Sequence, residues 1–357
     1  MRTFSPKVWR WALGALIVTL TSAGLAGFLV WRSLENSLEQ PFGPSAEGVM
    51  LEVPAGASAR RVADSLKAKG LIASPRLFTW EARQSGLATR IKSGEYAIKP
   101  EESARELLQR LVAGDVVEYR LTIVEGVRVR DALEQIRSHP MISVVEPGPV
   151  ASFSDQTLVT MYALPFPHPE GALFPDTYLF PRGTTDVALV AQARDRLTRT
   201  LEAAWADRAA DSPLKSPYEA LILASIVEKE TGLGSERARI SGVFSRRLAR
   251  GMRLQTDPTV IYGVGAAFDG NLTRTHLKTP TPYNTYVHSG LPPTPIALVG
   301  QAAIAAAVAP APGDDLYFVA RGDGSHAFSP TYAAHRKAVR KYQLNGGSTP
   351  ESTKNQP

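Results

Sequence analysis

Cysteine is absent from the 357 residues. That removes disulfide frameworks, thiolate nucleophiles, cysteine-based metal sites and a lipidated N-terminal cysteine together. Histidine is scarce: the six residues are scattered, without HExxH or another ligand pair at helical spacing, so neither a metal nor a cofactor is expected. Aromatic residues make up only 8%, and no dense Lys/Arg block is interleaved with them, which speaks against nucleic acid as a partner. What is present describes an ordinary globular chain, 44% hydrophobic and 21% charged, long enough for two domains. A formal charge of +6 and a pI near 9.5 suit an anionic partner such as a membrane surface or an acidic polymer.

The segment WALGALIVTLTSAGLAGFLVW, Trp11–Trp31, runs 21 residues without a charge, and about 20 helical residues suffice to cross a hydrocarbon core. Arg2, Lys7 and Arg10 precede it. The basic side belongs in the cytoplasm, which places everything after Arg32 outside it, periplasmic or otherwise extracytoplasmic. Trp9, Trp11 and Trp31 stand where interfacial anchors belong. A cleaved signal peptide is the rival reading, because TSAGLAG supplies small residues. The apolar stretch, however, exceeds the roughly 7–15 residues of a signal h-region. The expected order is a cytoplasmic tail (1–10), a single-pass transmembrane helix in the cytoplasmic membrane (11–31) and a linker (32–48).

A weak internal repeat follows. VPAGASARRVADSL (Val53–Leu66), IKPEESARELLQRL (Ile98–Leu111) and IVEGVRVRDALEQI (Ile123–Ile136) superimpose without gaps. Each has a β-branched residue closing an extended run, a Pro- or Gly-containing turn, and apolar residues at helical spacing: Val62/Leu66, Leu107/Leu111 and Ala132/Ile136. Ser58 and Ser103 are placed as N-caps, and Glu106 alone meets the capping-box rule. Such strand–turn–helix units must pack on a neighbour to bury their apolar faces. Two readings fit: a common β-turn-α unit recurring, or a small LysM-like carbohydrate-binding module. Residues 49–150 are assigned to this module and its connecting units.

Residues His139–Asp155 turn polar and proline-rich, marking a boundary, and 151–344 read as a second, mixed α+β domain. Thr185 caps a long helix with Leu189, Ala193, Leu197 and Leu201 down one face. DDLYFVARGDGSHAFS (Asp314–Ser329) reads as a hairpin turning at Asp323-Gly324, followed by a helix with Ser329 as cap and Pro330 in its first position. The polar tail, 345–357, is expected to be disordered.

Within SPYEALILASIVEKETG, Ser216 caps a helix, Pro217 starts it, Glu219 is placed to complete a capping box, and Gly232 ends it. The helix is apolar on nearly every side and therefore buried. At about 100° per residue, Glu230 falls on the row of Leu223 and Ile226, and Glu228 falls nearly opposite, beside Leu221, Ala224 and Ser225. Residues i and i+2 on a helix do not face each other, so these are not the paired carboxylates of a two-acid glycosidase. Desolvation and the helix C-terminus both push the pKa of Glu230 upward, toward what a general acid needs. The plainer alternative pairs both acids with Lys229, Arg237 or Arg239 at a solvated helix end.

Two later loops carry polar side chains among aromatics: Gln255, Thr256 and Asp257 before Pro258, and Tyr283, Asn284, Thr285 and Tyr286 before a Gly-Leu-Pro-Pro turn. Sugar hydroxyls want bidentate partners and ring faces want aromatics, although Asn284 or Asp257 could equally fold back on the backbone.

Taken together, ASIVEKETG, SERARISGVFSRRLARGMRLQTDPTVIYG and TPYNTYVHSGLPPTPI resemble the endolytic murein transglycosylase (YceG-like) family. The likeness extends over most of the chain, including VEGVRVRDAL, EGALFPDTYLF and DDLYFVARGDGSHAF. It implies an α+β protein with a single N-terminal transmembrane helix, a LysM-like module and a catalytic domain on the outer face of the cytoplasmic membrane. The implied activity is a lytic transglycosylase cleaving the MurNAc–GlcNAc bond of nascent peptidoglycan strands to give 1,6-anhydro-MurNAc ends, terminating elongation. The implied partners are glycan strands, the membrane and strand-polymerising synthases of the penicillin-binding protein kind. The family's catalytic glutamate falls on Glu230. Gln255, Asp257, Tyr283 and Asn284 become candidates for orienting the sugar, with Glu170 and Asp176 on the other wall. His326 is a candidate too, against a structural role in its hairpin. Two other functions stay open: a non-catalytic glycan-binding scaffold, and a lysozyme-like muramidase in which Asp257 or Asp176 supplies a second carboxylate.

Overall fold

The computed structural model describes residues 6–344, with the side chains of the first helix described only in part. Residues 1–5, the tail from Asn345, and the side chains of Trp9, Trp11 and Trp31 lie outside that description. The chain divides into two compact units, Met1–Tyr119 with Pro181–Gly183, and Arg120–Phe180 with Thr184–Pro357. This division falls before the third repeat, so the first two repeats belong to one unit and the third to the other.

The first unit begins with α1 (Pro6–Ser37). Its described large apolar side chains, Leu16, Val18, Leu20, Leu25, Phe28 and Leu29, are 56–64% exposed, and among the described residues the first buried one is Leu38. Among the described residues no helix is long and apolar enough to cross a membrane. There follow β1 (Met50–Val53), α2 (Ala59–Ala68), α3 (Pro75–Gln84), β2 (Gly94–Ala97) and α4 (Ala104–Ala113). The two strands pair antiparallel, Met50 opposite Ala97 and Val53 opposite Gly94. Ser58 and Ser103 cap α2 and α4, and only Ser103/Glu106 closes a full capping box, as the acid at the third helical position dictates. Val62, Leu66, Leu107 and Leu111 turn inward onto Leu51, Phe78 and Tyr96. Helix α3 is an insertion between the repeats and packs on α2.

β3 (Glu118–Thr122) leads into the second unit, which continues with α5 (Val129–Arg137), β4 (Ile142–Ser143), α6 (Asp155–Met161), β5 (Thr177–Pro181), β6 (Thr184–Thr185) and α7 (Asp186–Ala206). Next come α8 (Pro217–Glu230), α9 (Gly234–Ala249), α10 (Asp257–Val264), α11 (Arg274–Lys278) and α12 (Gln301–Val308). The unit closes with β7 (Tyr317–Ala320), β8 (His326–Ser329) and α13 (Tyr332–Val339). Its sheets are two-stranded, β3 with β5, β4 with β6 and β7 with β8. The class is mixed α+β.

Helix α8 is the axis of this unit. Every residue from Ala220 to Val227 is buried, and α7, α9, α10 and α12 pack around it. Each of its buried Leu, Ile and Val side chains contributes about 1.5–3 kcal/mol. Thr185 caps α7, whose Leu189, Ala193, Leu197 and Leu201 are buried as the spacing requires. Two local expectations fail. Ser216 caps α8, but the Glu219 carboxylate accepts from Lys215 N at 2.7 Å instead of from the cap, so no capping box forms. The last helix starts at Tyr332 with Thr331 as its cap, because Ser329 is retained by the β7–β8 ladder opposite Tyr317.

Candidate active site

Helix α8 ends at Glu230 because Thr231 is extended, at φ −146° and ψ 135°. Glu230 therefore occupies the final helical position, where the carbonyl ends of the helix disfavour a negative charge. Opposite it, the chain leaves α9 and reaches α10 through a turn in which Gln255 adopts φ +52°, a left-handed conformation costly for a residue with a Cβ. Thr256 stands at the N-cap of α10, yet its hydroxyl caps no helical N–H. It donates instead to Oε1 of Glu230. The hydroxyl that would have closed the helix end is diverted onto the carboxylate. Its position is fixed by Thr285, whose Oγ1 accepts from Thr256 N at 3.1 Å, and by Gln255 N donating to Thr285 O at 3.2 Å.

Burial is the main cause lifting the Glu230 carboxyl above the ordinary carboxylate range. The Thr256 hydrogen bond pulls it down, the Asp257 charge pushes it up again, and His326 pulls weakly down. No ion pair reaches Glu230 among the described residues, so nothing cationic holds it ionised at close range. Such a group rests protonated to higher pH than a surface glutamate and is suited to giving up a proton.

Glu228, two residues earlier, is also raised, and again burial is the largest cause. Both acids thus lose solvent, and what separates them most clearly is their partners. Glu228 has a side chain only 5% exposed. It accepts from Arg237 Nη2 at 3.1 Å and from Gly300 N at 3.1 Å, capping the start of α12. A Cβ at Gly300 would meet the Glu125 carboxylate, which would have to swing aside. The ion-pair reading therefore holds for Glu228, through Arg237, and not for Glu230.

Glu230 opens onto a cleft of about 460 Å³ lined by the Gln255–Asp257 turn, Arg247, Tyr286, the hairpin residues Tyr317 to Ala320 and His326, and Tyr332 and His335 of α13. Gln255 and Asp257 are thus brought to the acid as the sequence suggested. Asp257 accepts a hydrogen bond from the Tyr286 hydroxyl at 2.6 Å. The other four sugar-orienting candidates are not among the lining residues. Asn284 is fully buried, and its amide donates to the carbonyls of His276, Leu277 and Thr279, closing α11 and the loop after it. The Tyr283 hydroxyl is 2.9 Å from Thr294 Oγ1, and its ring meets Tyr262 edge-on. Glu170 accepts from Val129 N at 2.9 Å and from Tyr262 Oη at 3.1 Å, capping α5 from a distance; burial lifts its carboxyl to about 7. Asp176 pairs with Arg196 at 2.5 Å. These four have polar partners of their own within the protein.

Sequence reasoning passed over Arg247, Glu236, Tyr317, Tyr332 and His335, and it quoted Thr256 and Tyr286 without assigning them. A threonine directly before an Asp-Pro helix start reads as an ordinary cap, and no local signal announces the diversion of its hydroxyl. Among the described residues no cluster of His, Asp and Glu could hold a metal ion.

A family model described as the YceG-like family matches residues 51–341. The chain is 30% identical over 330 residues to a Bacillus subtilis protein named endolytic murein transglycosylase, covering 88% of this chain and 89% of that one. It is 26% identical over 344 residues to a Streptococcus pneumoniae protein of the same name, covering 85% of this chain but 60% of the longer relative. The crystal structure of a yceG-like protein from Listeria monocytogenes matches with a TM-score of 0.52 at 29% identity, covering 81% of this chain and 98% of that one.

Proposed function

The chain belongs to the YceG-like family, and from that premise we propose that it is an endolytic lytic transglycosylase of peptidoglycan with Glu230 as its acid. The observation that carries the assignment of the acid is a desolvated carboxylic acid, with no ion-pair partner among the described residues, facing an open cleft of about 460 Å³. Glu230 protonates the glycosidic oxygen between MurNAc and GlcNAc as the C1–O bond opens toward an oxocarbenium-like state. The C6 hydroxyl of the same MurNAc then closes onto C1, giving the 1,6-anhydro end. Because that nucleophile is already tethered, no second carboxylate has to activate a water. The simplest path returns the hydroxyl proton to Glu230. Gln255 and Asp257 are placed to orient sugar hydroxyls.

The N-terminal segment serves as a membrane anchor with the rest of the chain outside the cytoplasm; in support, the described large apolar side chains of α1 are exposed. The order β1-α2-α3-β2 supports a LysM-like module. Cleavage beside the membrane would end the growth of nascent strands and bring the enzyme next to their synthases.

The test is to incubate the purified protein with uncrosslinked glycan strands and weigh the new ends. Anhydro ends carry the assignment. Reducing ends would favour a muramidase using Asp257, whose carboxylate lines the same cleft, and retention without cleavage would favour a scaffold.

A further inference from the structure

A second titratable side chain is built into the cleft and the reaction above leaves it without a role. His326 opens β8 and lines the cleft together with Glu230. Its imidazole is held by one carboxylate: Glu236, in the first turn of α9, lies with Oε2 2.7 Å from Nδ1. Oε1 of the same carboxylate accepts the His326 backbone N–H at 3.0 Å. Phe318 meets the ring edge-on at 5.3 Å. The clamp fixes the tautomer: Nδ1 carries the proton donated to Glu236, which leaves Nε2 as a bare acceptor in the neutral ring. A histidine backed by a carboxylate, beside a separate acid in a cleft, is the arrangement by which enzymes make a base and stabilise the cation it becomes.

Resting on the transglycosylase assignment, we propose that the O6 proton reaches Glu230 by way of His326 and not directly, so that His326 is the base of the reaction and Glu230 the acid, with Glu236 positioning His326. As the C1–O bond breaks, Glu230 gives its proton to the leaving O4 of GlcNAc. As O6 bonds to C1, the O6 proton passes to Nε2 of His326. The products are one anhydro end, one free hydroxyl, a Glu230 carboxylate and a His326 imidazolium. Transfer of the proton from the imidazolium to the carboxylate restores both groups, with no net gain or loss. The brief opposite-charge pair is favourable beside the buried Glu230, and Glu236 supports the cation at Nδ1. Arg239 of α9 lies over the Phe328 ring beside the dyad but is paired with Asp315, and Asp257 and Tyr286 line the same cleft as His326.

The experiment compares His326→Gln, Glu236→Gln and the unaltered protein on uncrosslinked strands, following rate, pH profile and the ratio of anhydro to reducing ends, with thermal melting as the folding control. His326→Gln is expected to melt normally and to lose about a hundredfold or more in rate. It should also lose the acid-side limb of the pH profile, and shift its residual product toward reducing ends, because O6 is no longer activated against water. Glu236→Gln should lose about tenfold and keep both limbs. His326→Ala, regaining turnover with added imidazole, carries the proposal even if the glutamine variant melts early. Retention of activity within threefold, or a slowed enzyme with unchanged limbs and product ratio that imidazole does not rescue, overturns it. If the unaltered protein itself makes no anhydro ends, the transglycosylase assignment fails instead, so the two failures are distinguishable.

Discussion

Glu228 and Glu230 stand two residues apart at the end of one buried helix, and both are pushed toward protonation by lost solvent. On one side of the helix the carboxylate meets Arg237 and the N–H that opens α12. On the other it meets a threonine hydroxyl and a cleft. The first environment satisfies its charge and locks three helices together; the second leaves the proton free to move. Burial makes an acid unusual, but the lack of an ion-pair partner among the described residues and the presence of open volume make it useful.

The comparison is broken most directly at Glu230. Replacing it with Gln keeps the shape and removes the transferable proton, so strand cleavage should fall by at least about a thousandfold, read as anhydro ends by mass spectrometry. Glu228→Gln should leave cleavage within about threefold. Equal losses in the two variants, at unchanged melting temperature, would end the distinction between the two sides.

Stability should reverse the ranking. Glu228→Ala strands Arg237 and the α12 cap, and losing one partner of a buried pair costs about 3–5 kcal/mol. Glu230→Gln should stabilise, in a pH-dependent way. A carboxyl raised in the folded state favours folding below its unfolded pKa, and that contribution is lost as pH rises through the folded value. Melting of the Glu230→Gln variant against the unaltered protein should therefore show a gain at alkaline pH that shrinks toward acid.

Smaller effects sharpen the Glu230 side alone. Thr256→Val removes the donor that pulls its carboxyl down, so the alkaline limb of the cleavage profile should move to higher pH. Asp257→Asn removes a charge that pushes it up while keeping an acceptor for Tyr286, so the same limb should move lower. Shifts in the same direction for both substitutions would show that Glu230 does not set that limb.

Much of this was legible in the chain. Fixed helical geometry separates Glu228 from Glu230, the all-round apolar pattern buries α8, the acid at Glu106 makes a capping box that Arg61 cannot, and ASIVEKETG with its companion motifs carries the family. The candidate site was legible only where its residues adjoin in sequence, as Gln255 and Asp257 do. Asn284 and Glu170 look like ligand-binding side chains in their loops, yet backbone groups from other segments had already claimed them.

Local spacing by itself determined which helix is buried and which way each carboxylate points, because the period of a helix is set by covalent geometry and short-range hydrogen bonds; the reaction class came from the family resemblance of the motifs. Tertiary folding alone decided that Thr256 turns its hydroxyl to Glu230, that Glu228 closes α12 some seventy residues on, and that Glu236 reaches His326 ninety residues away. Those partnerships depend on where distant segments return in space, and no periodicity along the chain encodes which lone pair a returning donor will find.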